Sequence, residues 1–185
     1  GIPNYPKGKF YEGYGIFKKR KERYHGVNIV RLPIIPRGQS ALQLILNYIS
    51  FVVVGYFWKC LTPIKADYTF IFEVSPMTQA LLGVWYAKRR EIPCYIYVQD
   101  LWPENVEIIA KIKNGIFIRL MEKMVYYIYI NCCKIFVTSK SFAKSIKKRN
   151  IDENKIIYWP QYAEEYYSPS SEKSELITEG KVPNI

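Results

Sequence analysis

The sequence predicts an α/β fold: a mainly parallel sheet with helices on both faces. Three observations lead there. From residue 68 to 159, short runs rich in Ile, Val, Tyr and Phe alternate with segments of helical period. Strands and helices in alternation imply right-handed βαβ crossovers. Hydrophobic residues make up 49% of 185 positions, enough to fill one core. Turn formers such as Ser75-Pro76 and Asn114-Gly115 fall between the runs, where the chain has to change direction.

The elements follow in order. Residues 1–26, with Pro3, Pro6 and several glycines among tyrosines and lysines, read as an irregular loop. Val27–Leu32 reads as a short strand closed by Pro33, and Pro36-Arg37-Gly38 turns the chain into a helix starting near Gln39 or Ser40. No charge stands between Gly38 and Trp58. A helix of that length reaches about 30 Å, the thickness of a bilayer core. Yet Gln39, Gln43, Asn47 and Ser50 share one helical face. A domain helix, a helix lying in a membrane interface and a membrane span are all compatible with that pattern.

Tyr68–Val74 is the next expected strand, and Ser75-Pro76 opens a helix to Arg89 or Arg90 with serine as cap and proline in the first turn. Pro93–Val98 is a strand, 104–112 a short helix, 116–131 a longer apolar helix. Lys134–Thr138 is a strand, Ser139–Arg149 a helix capped by Ser139, and Lys155–Trp159 the last strand. From Ser168 the composition turns to Ser, Glu and Lys without period, which reads as a linker or frayed end after a domain over 1–167. The architecture is Rossmann-like, but its usual opening β-α-β is missing. Gly8, Gly13 and Gly15 follow no strand, so they form no dinucleotide fingerprint. Further residues before Gly1 are expected in the natural protein.

Composition narrows the function. The formal charge is +11, and residues 1–40 carry nine Lys/Arg against Glu12 and Glu22, a net of +7. A basic front implies an anionic partner, and an anionic membrane surface or a pyrophosphate suits it. A nucleic-acid-binding domain is the alternative that charge and aromatics raise, but no RNA- or DNA-binding motif supports it. Cys60, Cys94, Cys132, Cys133 and the lone His25 form no metal-ligand spacing, so buried reduced thiols in the cytoplasm are expected. A serine hydrolase is disfavoured by the absence of a GxSxG elbow.

The most informative stretch is Gln99-Asp100-Leu101-Trp102-Pro103-Glu104, just past an apolar strand. Strand carboxyl ends are where open α/β sheets bind ligands. With Ser75-Pro76, the Arg31–Arg37 run, the loops Gly1–Gly8 and Tyr11–Tyr14, and Trp159–Glu165, this block resembles bacterial family-4 glycosyltransferases of GT-B architecture. The likeness is to the branch that builds cell-surface polysaccharide and covers nearly the whole chain. It implies the N-terminal, acceptor-side half of a retaining transferase, inactive alone. A nucleotide-sugar donor would be gripped mainly by a C-terminal domain that nothing here matches. No metal is implied, and the acceptor would be lipid-linked or a saccharide, at the inner face of the membrane.

On that resemblance Asp100 and Gln99 are the catalytic candidates. Asp100 could hold an acceptor hydroxyl or favour the cationic sugar of the transition state. Tyr5, Lys7, Arg37, Ser75, Trp102 and Glu104 are acceptor-binding candidates: Arg37 and Lys7 for a pyrophosphate, Ser75 for an anion at a helix N-terminus, Trp102 as a platform for a pyranose. Each has a plainer reading. Asp100 could cap the following helix, with Pro103 and Glu104 in its first turn, and Trp102 could be core. A non-catalytic Rossmann-like binding module remains the alternative to an enzyme.

Overall fold

The computed structural model describes residues 1–104 and 115–162. The helix expected beyond Glu104 and the linker from Ser168 lie outside the described residues. Four parallel strands form the centre, in the order β3-β4-β5-β6: Thr69–Glu73, Cys94–Val98, Lys134–Val137 and Ile156–Tyr158. Helices α2 (Ala80–Arg90), α3 (Gly115–Ile130) and α4 (Lys140–Lys147) connect them. The α/β class and the parallel sheet read from the sequence are the ones observed.

The core is continuous. Ile71, Ile96, Val98, Ile135 and Val137 of the strands pack with Val84 of α2, Ile128 and Tyr129 of α3, and Ile146 of α4. Right-handed crossovers taken always in one direction along a sheet put every connecting helix on the same face. The opposite face carries Phe70, Phe72, Tyr95 and Phe136, partly exposed, around a buried Tyr97 that Phe72 and Trp159 cover. The double cover expected from the sequence is thus present on one side among the described residues.

Three details differ from the sequence reading. Residues 1–26 are not wholly irregular: β1 (Lys21–Tyr24) pairs antiparallel with β2 (Val27–Val30). The turn is two residues, His25 and Gly26, both at positive φ, as a type I′ hairpin requires. Charges at Lys21, Glu22 and Arg23 hid this strand, because a solvated hairpin needs no apolar alternation. Secondly, β2 belongs to this hairpin and not to the parallel sheet. Thirdly, Ser75 does not cap α2. Ser75-Pro76 is a cis peptide followed by a 3-10 turn, Met77–Gln79, and α2 begins at Ala80. The Ser139 cap holds, accepting from the Phe142 amide.

Helix α1 (Ala41–Leu61) starts with a capping box: the Gln43 amide donates to Ser40 Oγ, and Gln43 Oε1 accepts from the Ser40 amide. Its polar stripe is fully used. Asn47 Nδ2 donates to the Ile35 carbonyl at 2.5 Å, and Ser50 Oγ accepts from the Ile35 amide at 3.0 Å. The strap 33–39 therefore lies along α1. Gly55 packs on Leu82, and Trp58 lies against Tyr86, joining α1 to α2.

The N-terminal loop is pinned to the same strap. The Gly38 amide donates to the Gly8 carbonyl at 2.9 Å, and the Arg37 amide to Asn4 Oδ1 at 3.0 Å. Both glycines have positive φ, and a Cβ on Gly8 would come within 2.4 Å of the Gly38 carbonyl oxygen. Only glycine permits this approach, and the approach is what brings Tyr5 next to Arg37.

Candidate functional site at the strand ends

Strands β3 and β4 end in register, Glu73 beside Val98. The Gln99 amide donates to the Glu73 carbonyl at 2.9 Å, extending the ladder by one bond. The two loops then meet through side chains. Asp100 Oδ2 accepts from the Ser75 amide at 2.9 Å and from Ser75 Oγ at 2.8 Å. Trp102 Nε1 donates to the same Oγ at 3.2 Å. The indole N–H, the hydroxyl and the carboxylate form one polarised chain, each bond strengthening the next.

This arrangement changes the roles read from the sequence. Ser75 points both its donors at a carboxylate, so it does not serve an anion; it fixes Asp100. Trp102 lends its N–H to the same purpose. Among the described residues Asp100 Oδ1 accepts no hydrogen bond, which leaves it for an incoming hydroxyl.

Beneath the pair lies Glu73, fully buried at the end of β3. Burial first, and the Asp100 charge second, push its carboxyl up to about 8, while the Asp100 and Gln99 amides pull the other way. Neither carboxyl oxygen meets a partner in hydrogen-bond geometry among the described residues, nor does the buried Tyr129 hydroxyl. Burial and Glu73 together push the Tyr129 phenol up as well. Glu73 was missed by the sequence reading. The signal was present: in Thr69-Phe70-Ile71-Phe72-Glu73, period-two alternation puts the acid on the side of Ile71, facing the core.

Beside Ser75 opens a cavity of about 330 Å³, lined by Tyr5, Arg37, Asn47, Tyr48, Ser75 and Gln79 among others. The Arg37 guanidinium sits 5.2 Å from the centre of the Tyr5 ring. No carboxylate comes within ion-pair distance of Arg37 among the described residues. A cation held on a ring at the mouth of a polar cavity is equipped to meet a phosphate.

The remaining candidates stand apart. Lys7 lies over Tyr11, with Nζ 5.5 Å from the ring centre, and gives its carbonyl to Gln39 Nε2, outside the cavity. Gln99 is on the aromatic side of the sheet: its Oε1 accepts from Gln161 Nε2, and its own Nε2 is buried without a partner among the described residues. Glu104 is held by Arg149 Nη2 at 2.7 Å and by Ser145 Oγ at 2.6 Å. Burial opposes its charge, but those bonds outweigh burial and keep the carboxyl below its ordinary value. Its two oxygens tie the Trp102 loop to α4. The sequence thus named three residues that form one network (Ser75, Asp100, Trp102), two that share the cavity (Tyr5, Arg37), and three that serve elsewhere.

Among the described residues no group of three or more His, Cys, Asp or Glu could hold a metal. No protein-family model matches this chain, and no curated protein does.

Proposed function

We propose that this chain is the acceptor-side half of a retaining glycosyltransferase of GT-B type, serving cell-surface polysaccharide synthesis. One observation carries the reading. Two pieces of the resemblance, Ser75-Pro76 and the Asp100–Trp102 part of its most specific block, lie far apart in sequence yet bond directly to each other at neighbouring strand ends. Parallel strand ends are where such sheets bind ligands, and the cavity that Ser75 lines also holds Arg37.

In this reading an acceptor bearing a phosphate or pyrophosphate enters the cavity and is met by Arg37 over Tyr5. Its reacting hydroxyl reaches Asp100 Oδ1. Asp100, oriented by Ser75 and Trp102, stabilises the positive charge that builds on the transferred sugar. The donor nucleotide is gripped by a second domain, and the cleft between the two excludes water.

Calorimetric titration with a short-chain polyprenyl pyrophosphate tests this. Micromolar-range binding is expected, and Arg37→Ala should weaken it about tenfold, the worth of one charge-assisted bond. In the full-length enzyme, Asp100→Asn should leave acceptor binding within a factor of about three while cutting sugar transfer by about a hundredfold or more. Transfer at near wild-type rate in Asp100→Asn would reduce Asp100 to a structural tie, and unchanged affinity in Arg37→Ala would move the acceptor elsewhere.

A further inference from the structure

Glu73 ends β3 and is the one acid fully enclosed among the described residues, at 0% exposure. A buried polar group ordinarily has a partner. Glu73 has none of the usual kind. No Lys or Arg comes within ion-pair distance of it among the described residues, and neither carboxyl oxygen is in hydrogen-bond geometry. The loop after β4 brings the Asp100 carboxylate, whose charge acts on Glu73 directly, together with the Gln99 and Asp100 amides. Helix α3 brings the Tyr129 hydroxyl, itself enclosed and without a partner among the described residues. Glu104 and Arg149 reach as far as Tyr129, but they are bonded to each other. Helix α2 and the 3-10 turn before it supply Met77, Ala80 and Val84 to this core, and β4 sets Val98 beside Glu73. None of these can answer a charge.

We propose that Glu73 is the positioning residue of the strand-end network: with its proton it lets Asp100 sit against Ser75, and without it drives Asp100 from that seat. The reason is unequal freedom. A bare carboxylate is costly in an apolar enclosure unless something answers its charge. Where two carboxyl groups share one site, one keeps its proton or one moves away. Glu73 cannot move. Its backbone is locked in the ladder opposite Val98, and its carbonyl takes the Gln99 amide at 2.9 Å. Asp100 can. It lies beyond the last strand pair, partly exposed, and Ser75 alone holds its carboxylate among the described residues. Loss of the Glu73 proton therefore pushes on the one carboxylate that is free to leave.

Burial first, and Asp100 second, push the Glu73 carboxyl up to about 8, so the change falls just above neutral pH. Trp102 reports it, because its indole N–H donates to the same Ser75 hydroxyl that donates to Asp100. In the proposed transferase, Asp100 would face the sugar only while Glu73 is neutral. That consequence rests on the transferase reading; the coupling of Glu73 to Asp100 does not.

Fluorine NMR of the chain with fluorotryptophan at its four tryptophans tests the coupling, the Trp102 signal being assigned with Trp102→Phe. In the wild-type protein that signal should shift with a midpoint of about 8. Glu104, held below its ordinary value, and Tyr129, pushed above its own, do not titrate there. Glu73→Gln keeps the shape of the neutral acid and should leave the signal flat from about pH 6.5 to 9.5. Asp100→Asn removes the like charge and should lower the midpoint by about half a pH unit or more. A wild-type signal that does not move, the same movement in Glu73→Gln, or an unchanged midpoint in Asp100→Asn would each overturn the proposal. In the full-length enzyme, kcat should fall by up to about tenfold per pH unit above the midpoint. Glu73→Gln should lose that alkaline limb, and a limb that persists in it would remove Glu73 from control of the reaction. A titrating Trp102 signal in a protein with no transfer at any pH would support the coupling and sink the transferase reading alone.

Discussion

The two faces of the central sheet come from the same strands and the same register, yet they solve burial differently. Under the helices stand Ile71, Ile96, Val98, Ile135 and Val137, all but fully enclosed. Behind them Phe72 meets Tyr97 edge-on at 5.7 Å, Tyr97 stacks on Trp159 at 5.2 Å, and Phe136 meets Trp159 at 5.1 Å. Where a helix presses down, branched aliphatic side chains fill the tight interlayer space. Where no helix comes among the described residues, rings cover one another and Tyr97 anchors the set by donating to the Trp159 carbonyl at 3.0 Å. A strand such as Cys94-Tyr95-Ile96-Tyr97-Val98 looks uniformly apolar, but it encodes two environments in alternation.

The comparison can be broken at its strongest point first. Ile96→Ala should cost about 2–5 kcal/mol in urea unfolding, because the packed face cannot collapse around the lost atoms. A loss under about 1 kcal/mol would mean that this face is as loosely packed as the other.

Glu73 sharpens the contrast, being the one acid on the enclosed face among the described residues. Its pKa is raised above the ordinary value near 4.5 to about 8. The folded state therefore binds a proton the unfolded chain has shed. Stability is fully present below pH 4.5 and declines, by up to about 1.4 kcal/mol per pH unit, as pH rises toward 8. Glu73→Gln should flatten that slope and be the more stable protein at pH 8; parallel pH profiles for the two would contradict a buried neutral acid. The smallest effect belongs to the open face, where Phe72→Ala should cost about 1 kcal/mol or less, since the ring is already more than half exposed. A loss matching that at Ile96 would show that this face is sealed in solution.

Much of the fold was readable because local rules agreed with the final structure. The Ser40 and Ser139 caps and the alternating runs at 69–73, 94–98 and 134–137 each announce themselves within a few residues. What was not readable depends on partners distant in sequence. Ser75 resembled a cap because serine before a helix normally is one; its real partner, Asp100, arrives only when β3 and β4 pair in parallel. Glu104 looked free for a ligand until α4 brought Arg149 to it. Arg37 and Tyr5 were named separately, and the Gly8–Gly38 contact that unites them lies in a loop without period. The β1–β2 hairpin failed for a different reason: its strands are held by backbone pairing and the Arg31–Glu22 ion pair, neither of which leaves a hydrophobic trace.

Strand β3 has a neighbour on one side only among the described residues. Its outer edge presents the backbone of Thr69-Phe70-Ile71-Phe72, a stretch with no proline, lysine or bulge to discourage another chain from joining it. A strand that paired there, from a continuation of this chain or from a second molecule, would extend the parallel sheet by one and cover the bare backbone of Thr69–Glu73.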